Sequence, residues 1–217
     1  MESPQTLPVL DSTELRVLGA LMEKSKTTPD YYPMTINALT AACNQKTSRK
    51  PVVQYDEETV IATLNSLRKK GLVATATGGS SRTIKYKHNF AIVFPVDQAE
   101  TTLLCLLMLR GAQTPGELNT NSARMFEFDS LEEVLSVLEK LSSYELPFVQ
   151  QLTRRAGQKE MRFTHLLGGP PDLTQEDQPD ELPAKSDNEL EARLGKVEQD
   201  LAELKEAFNK LMKELMG

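Results

Sequence analysis

Apolar side chains recur at intervals of three and four residues in three stretches near the start of the chain, which predicts three amphipathic helices. The first begins after Asp11, which can act as N-cap while Glu14, three residues on, completes a capping box. Two prolines then interrupt the pattern, because proline lacks an amide donor and restricts the residue before it. We expect a second helix from about Thr35, and a third from Asp56 to a left-handed cap at Gly71.

The pattern changes to alternation in residues 72–77 and 83–88, on either side of the turn GGSSR, and this predicts a two-stranded hairpin. Ile84 and Tyr86 would share one face of the second strand, while the lysines that follow each of them would occupy the other face. Three helices followed by a hairpin is the order of elements in a winged-helix domain. We place this predicted domain at residues 1–95.

The same order recurs in residues 96–167. Capping residues Asp97, Thr114 and Ser130 each precede a helical stretch, and alternating segments within 148–167 predict a second hairpin. The sequence therefore predicts an α+β fold, mainly α, with two tandem winged-helix domains, each closing a small core of its own.

The rest of the chain has a different composition. Residues 168–187 are rich in proline, glycine and acids, which predicts a disordered acidic linker. In residues 188–217 apolar side chains alternate spacings of three and four without a break, as in a heptad seam. We expect a coiled-coil helix that joins two copies of the chain as a homo-oligomer, a dimer. An amphipathic helix folded back on its own chain is the alternative that the pattern leaves open.

The net charge of −6 is distributed unevenly. Residues 1–95 carry an excess of cations and residues 96–167 an excess of acids, so any affinity for phosphate is expected in the first domain. Side chains able to face a DNA groove lie on the loop after the second helix, on the outer face of the third helix and on the wing. The predicted nucleic-acid-binding residues are Lys46, Arg49, Lys50, Asn65, Ser66, Lys69, Arg82, Lys85 and Lys87.

Two functional hypotheses remain open. The first is a DNA-associated, regulatory protein that contacts double-stranded DNA through its first domain. The second is a protein-binding scaffold or adaptor without direct DNA contact, with its protein partner on the second domain. Asp56, Glu57 and Glu58 favour the second, because they begin the helix that would approach phosphate. Glu132 and Glu133 make the corresponding helix of the second domain poorly suited to DNA as well.

Catalytic chemistry is not indicated by any motif. The sequence lacks a nucleophile elbow, a Walker loop, a dinucleotide fingerprint and paired-histidine metal spacing, so we expect no enzymatic activity, no cofactor and no metal site. His88 and His165 are interpreted as structural or solvated, and Cys43 and Cys105 as reduced thiols in helices. The absence of a signal-peptide pattern and of a long apolar run predicts a cytoplasmic protein.

Two long segments carry a family resemblance: TTPDYYPMTINALTAACNQKTSRKPV at 27–52 and LLMLRGAQTPGELNTNSARMFEF at 106–128. With them the chain resembles the YceH-like family of uncharacterised bacterial proteins, and the resemblance implies tandem winged-helix domains and no known enzymatic activity. The family commonly has arginines where this chain has Asn119 and Asn121, so a contact made by those arginines would be lost here. The segment Ala-Cys-Asn-Gln-Lys at 42–46 matches the family pattern, and its role in packing or in recognition is left open.

Overall fold

The computed structural model describes residues 7–76, 83–153 and 160–170, together with the helical positions 196, 199 and 205. The chain divides into two compact units, Met1–Pro171 and Asp172–Gly217. Nearly all of the predicted linker at 168–187 and of the predicted coiled-coil helix at 188–217 lies outside the described residues. Those two assignments stay predictions.

The first half of the larger unit follows the predicted order. Each helix begins where a side-chain oxygen of the preceding residue accepts a backbone amide, namely Asp11, Thr35 and Asp56. A short 3-10 turn, Pro29–Tyr31, fills the proline-interrupted stretch. The elements are α1 (Ser12–Thr27), α2 (Ile36–Cys43), α3 (Glu57–Lys69), β1 (Val73–Ala76) and β2 (Lys85–His88).

The second half repeats these elements with nearly the same lengths. Its helices are capped by Asp97, Thr114 and Ser130, as predicted, and a short helix that the pattern did not indicate joins the halves. The elements are α4 (Phe90–Val93), α5 (Gln98–Arg110), α6 (Pro115–Ser122), α7 (Leu131–Ser143), β3 (Val149–Gln151) and β4 (Phe163–His165). The prediction of a mainly helical α+β fold is confirmed.

Each hairpin gains a one-residue third strand that alternation could not predict. Met34 lies just before the cap of α2. Its amide donates to the Tyr86 carbonyl at 3.0 Å, and its carbonyl accepts from the Tyr86 amide at 2.8 Å. Gln113, just before the cap of α6, pairs in the same way with Phe163. Because a single residue has no period, only the folded chain reveals that the second strand of each hairpin is the central one.

The two halves correspond residue by residue. Val73 pairs with His88 in the first hairpin, and Val149 pairs with His165 in the second. The helices α3 and α7 both have thirteen residues and begin directly after their N-caps, so position n of α3 corresponds to position n+74. This correspondence lets the surfaces of the two halves be compared directly.

Both halves share one hydrophobic core, whereas the sequence predicted two separate cores. The buried apolar side chains form a single cluster that spans both halves. Its centre is the packing of α1 against α5, the most extensive contact between elements. The boundary predicted at residue 95 therefore separates two halves of one compact unit.

A glycine permits this close helix contact. A Cβ atom added to Gly19 would lie 2.9 Å from Leu109 Cδ2 and 3.0 Å from its Cγ. The Cys105 thiol, also on α5, donates a hydrogen bond to the Gly19 carbonyl at 3.3 Å. A larger side chain here would therefore displace Leu109 from its packed position or force the two helices apart.

None of the helices within the described ranges has the length and apolar content that a membrane span requires.

We predict that Gly19→Leu destabilises the protein by about 1–3 kcal/mol, the usual cost of forcing extra atoms into a packed core. The measurement is the free energy of unfolding from urea denaturation. Gly116→Ala is the control, because its added Cβ would meet its nearest neighbour at an ordinary 3.8 Å. Equal stability of Gly19→Leu and wild type would contradict the central place of this contact.

Candidate nucleic-acid interface

A shallow groove of about 660 Å³ lies between the end of α3 and β1. Val60, Leu64 and Leu67 face the core and turn the opposite side of α3 toward solvent. Asn65 and Lys69, both predicted site residues, are exposed on that side and line the groove. Arg68, which the prediction left out, lies beside them.

The hairpin register places two predicted lysines beside this groove. Lys87 pairs with Ala74, a residue of the groove wall, and Lys85 pairs with Ala76. Directly paired residues project on the same face, and the opposite face holds the buried Tyr86. Both lysines therefore belong to the outward face of the hairpin. Ile84 was expected to share the inner face with Tyr86, but its side chain is largely exposed.

Ser66 is turned away from the groove. Its hydroxyl donates to Glu14 Oε1 at 2.7 Å, while Lys70 Nζ lies 2.6 Å from Glu14 Oε2. The pKa of the buried Glu14 carboxyl, which burial alone would raise, is held below its ordinary value by these donors and by its capping bond to Asp11. Ser66 joins α3 to α1, and its hydroxyl is therefore not available to contact a base, contrary to the prediction.

Arg49 also does not belong to the predicted DNA-binding surface, because its side chain is completely buried. Its guanidinium forms a two-pronged ion pair with Glu23 at 3.0 and 2.7 Å and donates to the carbonyls of Ala42 and Ser48. These contacts keep the pKa of Glu23 below its ordinary value despite burial. The periodicity of helices says nothing about a loop, and so it could not show that this cation points inward.

The remaining predicted cations lie elsewhere. Lys46 and Lys50 are exposed on the loop after α2, and the Lys50 amide donates to the Leu109 carbonyl of the second half at 2.8 Å. The structure does not place either lysine at the α3 groove. Arg82 falls within 77–82, outside the described residues, and its role stays a prediction.

The segment 42–46 is largely engaged in packing. Cys43 is buried, and the Asn44 side chain both donates to and accepts from the Tyr55 backbone, at 2.7 and 2.8 Å. Burial raises the pKa of the Cys43 thiol to about 12. The thiol of Cys105 in α5 is likewise buried with a raised pKa, so both cysteines lie in helices as free thiols, as predicted.

Asn121, one of the two positions at which the resemblance implies an arginine, is half-buried and hydrogen-bonded. It accepts from Arg110 Nη1 and donates to Gln113 Oε1, both at 2.8 Å. Arg110 also donates to Ser48 Oγ at 2.9 Å, which ties α5 to the loop after α2. In this chain the position therefore supports the junction between the halves.

We predict that Arg49→Ala lowers the free energy of unfolding by about 3 kcal/mol, because the largely buried Glu23 carboxylate would lose its two-pronged partner and keep only the ion pair with Lys24 at 3.3 Å. Lys46→Ala removes a nearby exposed cation and should change stability by less than about 0.5 kcal/mol. Denaturant titration of both variants gives the comparison. Weakened DNA binding by Arg49→Ala with unchanged stability would contradict the structural role.

The two histidines occupy equivalent strand positions and are both largely buried. His88 Nε2 lies 3.2 Å from Ser25 Oγ, and its Nδ1 accepts the Phe90 amide. His165 Nδ1 is buried without a hydrogen-bond partner among the described residues. Burial lowers the pKa of each ring to about 4, and Lys26 adds to the effect at His88. Both are therefore structural and neutral in the fold at neutral pH.

This burial predicts acid sensitivity. The unfolded chain binds a proton on each histidine near pH 6.5, whereas the fold does so only near pH 4. The stability that the two neutral rings contribute is therefore fully present above pH 6.5. It is lost as the pH falls toward 4, by up to about 1.4 kcal/mol per pH unit for each ring.

The measurement is urea denaturation across this pH range for the wild type and for His88→Gln with His165→Gln. We expect a shallower loss in the double variant, and the difference between the two curves removes the contribution of the carboxylates. Parallel curves would contradict the assignment.

A profile described as "Protein of unknown function, DUF480" matches residues 10–158. The "UPF0502 protein" of Solibacter usitatus is 48% identical over 200 residues, covering 92% of this chain and 94% of that protein. The "UPF0502 protein" of Opitutus terrae is 50% identical over 166 residues, covering 76% and 72%. The "UPF0502 protein YceH" of Escherichia fergusonii is 41% identical over 211 residues, covering 95% and 97%. These matches confirm the resemblance that the sequence indicated.

Proposed function

Since the chain belongs to the DUF480 family, whose description assigns no activity, we propose a function from its own surface: the first half binds double-stranded DNA. The observation that carries the proposal is the groove in which Arg68, Lys69 and Asn65 come together beside β1. Cations supply affinity for phosphate, and an amide side chain can pair with a base edge. We further propose that each half is a winged-helix module and that the protein is a non-enzymatic regulator.

The acids at the start of α3 do not cancel this cationic groove. Glu58 precedes Arg68 by ten residues, which is about 15 Å along a helix. That separation exceeds the screening length of about 8 Å at physiological ionic strength. Carboxylates at the helix N-terminus also stabilise the helix dipole. They therefore orient the helix, with its C-terminal half toward phosphate.

The wing extends the cationic surface. Lys85 and Lys87 share the outward face of the hairpin, next to the strand that forms the groove wall. Contacts from a helix end and from a hairpin could reach phosphates on either side of a DNA groove. This arrangement supports backbone-directed binding with modest sequence preference through Asn65.

A titration of labelled duplex DNA with the full chain at several salt concentrations tests the proposal. We expect binding that weakens with salt. Replacing both Arg68 and Lys69 with alanine should make the negative slope of log K against log salt less steep by about two, one for each phosphate contact removed. Lys85→Ala with Lys87→Ala should have a similar effect.

Arg124→Ala is the matched control, because it removes an exposed cation from the second half. It should leave affinity and salt slope unchanged. Binding weaker than about millimolar at low salt, or binding without a salt slope, would refute the proposal.

A further inference from the structure

The groove beside α3 has a counterpart in the second half. A cleft of about 610 Å³ lies between α7 and β4, and three of its lining residues correspond to residues of the first groove. Glu139 stands where Asn65 stands in the first half, Ser142 where Arg68 stands, and Gln151 where Thr75 stands. One backbone arrangement therefore presents two different surfaces.

The chemistry of the second cleft is apolar and acidic. Leu131 and Leu135 replace Glu57 and Ile61 on the helix face, and they are 42% and 43% exposed. Met161 and Phe163 continue the apolar surface on the hairpin side. Exposed leucines next to one another in a concave surface are typical of sites that bind a partner.

Two carboxylates edge this cleft, Glu139 and Glu160, both exposed. Neither forms an ion pair within the part of the chain that the structure describes, and the described residues that line the cleft include no lysine or arginine. These two acids would repel phosphate, whereas a cationic side chain beside an apolar one would complement both the acids and the leucines.

We propose that this cleft, formed by α7 and the second hairpin, binds an amphipathic helix of a partner protein whose apolar face is flanked by lysine or arginine. The apolar residues of α7 sit one turn apart, the spacing with which a helix inserts its own apolar side chains into a groove. The charge of the cleft selects a basic partner over an acidic one. This binding is independent of DNA binding by the first half.

The test uses the full chain and two synthetic amphipathic peptides with the same leucine pattern, one flanked by lysines and the other by glutamates. We expect fluorescence anisotropy to show binding of the lysine peptide at least about ten-fold tighter than that of the glutamate peptide. Leu135→Asp should reduce lysine-peptide binding by about ten-fold or more. Glu139→Lys should weaken the lysine peptide and strengthen the glutamate peptide.

That exchange of preference requires a folded cleft, so loss of structure cannot imitate it. Glu127→Lys changes an exposed acid that does not line the cleft, and it should alter neither titration. Equal binding of the two peptides, or lysine-peptide binding unaffected by Leu135→Asp and Glu139→Lys, would overturn the proposal. A concentration-dependent rise in mass that Leu135→Asp abolishes would assign the cleft to a second copy of the chain and would also overturn it.

Duplex DNA binding by the same variants separates the two proposals. Leu135→Asp and Glu139→Lys should bind DNA like wild type, since neither residue touches the first groove. Failure of the peptide experiment with intact DNA binding would then count against the second cleft alone.

Discussion

The close approach of α1 and α5 at Gly19 is the constraint on which the larger unit depends. The Leu109 side chain of α5 fills the space beside Gly19, and the apolar residues of both halves form one cluster around this contact. Other links then join the halves around this contact. The Leu10 amide donates to the Leu167 carbonyl, and Arg110 reaches across to Ser48. A repeat that could have formed two loosely joined domains is consequently one folded body.

Within this body the repeated polar contacts hold neighbouring helices of each half together. Glu14 and Glu100 occupy equivalent capping-box positions, and both are buried. Each accepts hydrogen bonds near the end of the third helix of its half, from Ser66 in one case and from Tyr144 in the other. A carboxylate that caps one helix and fastens another fixes the angle between them. The outer surface of the third helix can then vary without loss of the fold.

The sequence predicted what depends on local pattern. Helix starts were correct because a capping oxygen and an apolar stripe are both visible in the chain itself. The bridges at Met34 and Gln113 were missed, because a one-residue strand has no periodicity. Arg49 and Ser66 were assigned to the surface because a helical wheel or a loop does not reveal which neighbouring element covers a polar side chain. Arg68 was left out for the opposite reason, since the folded hairpin creates the groove that it lines.

The fixed junction between the halves also constrains how the two proposed surfaces can communicate. A ligand changes a distant site only when it binds two conformations of the protein with different affinities. Here a different arrangement of the halves would require separation of α1 from α5 and loss of the Arg110–Ser48 hydrogen bond, which makes such a second conformation costly. The two surfaces should therefore act additively: occupancy of one leaves the affinity of the other unchanged, and the chain brings their ligands together at a set spacing. Under the two proposals, the protein would hold its ligands at a fixed spacing and would not act as an allosteric switch.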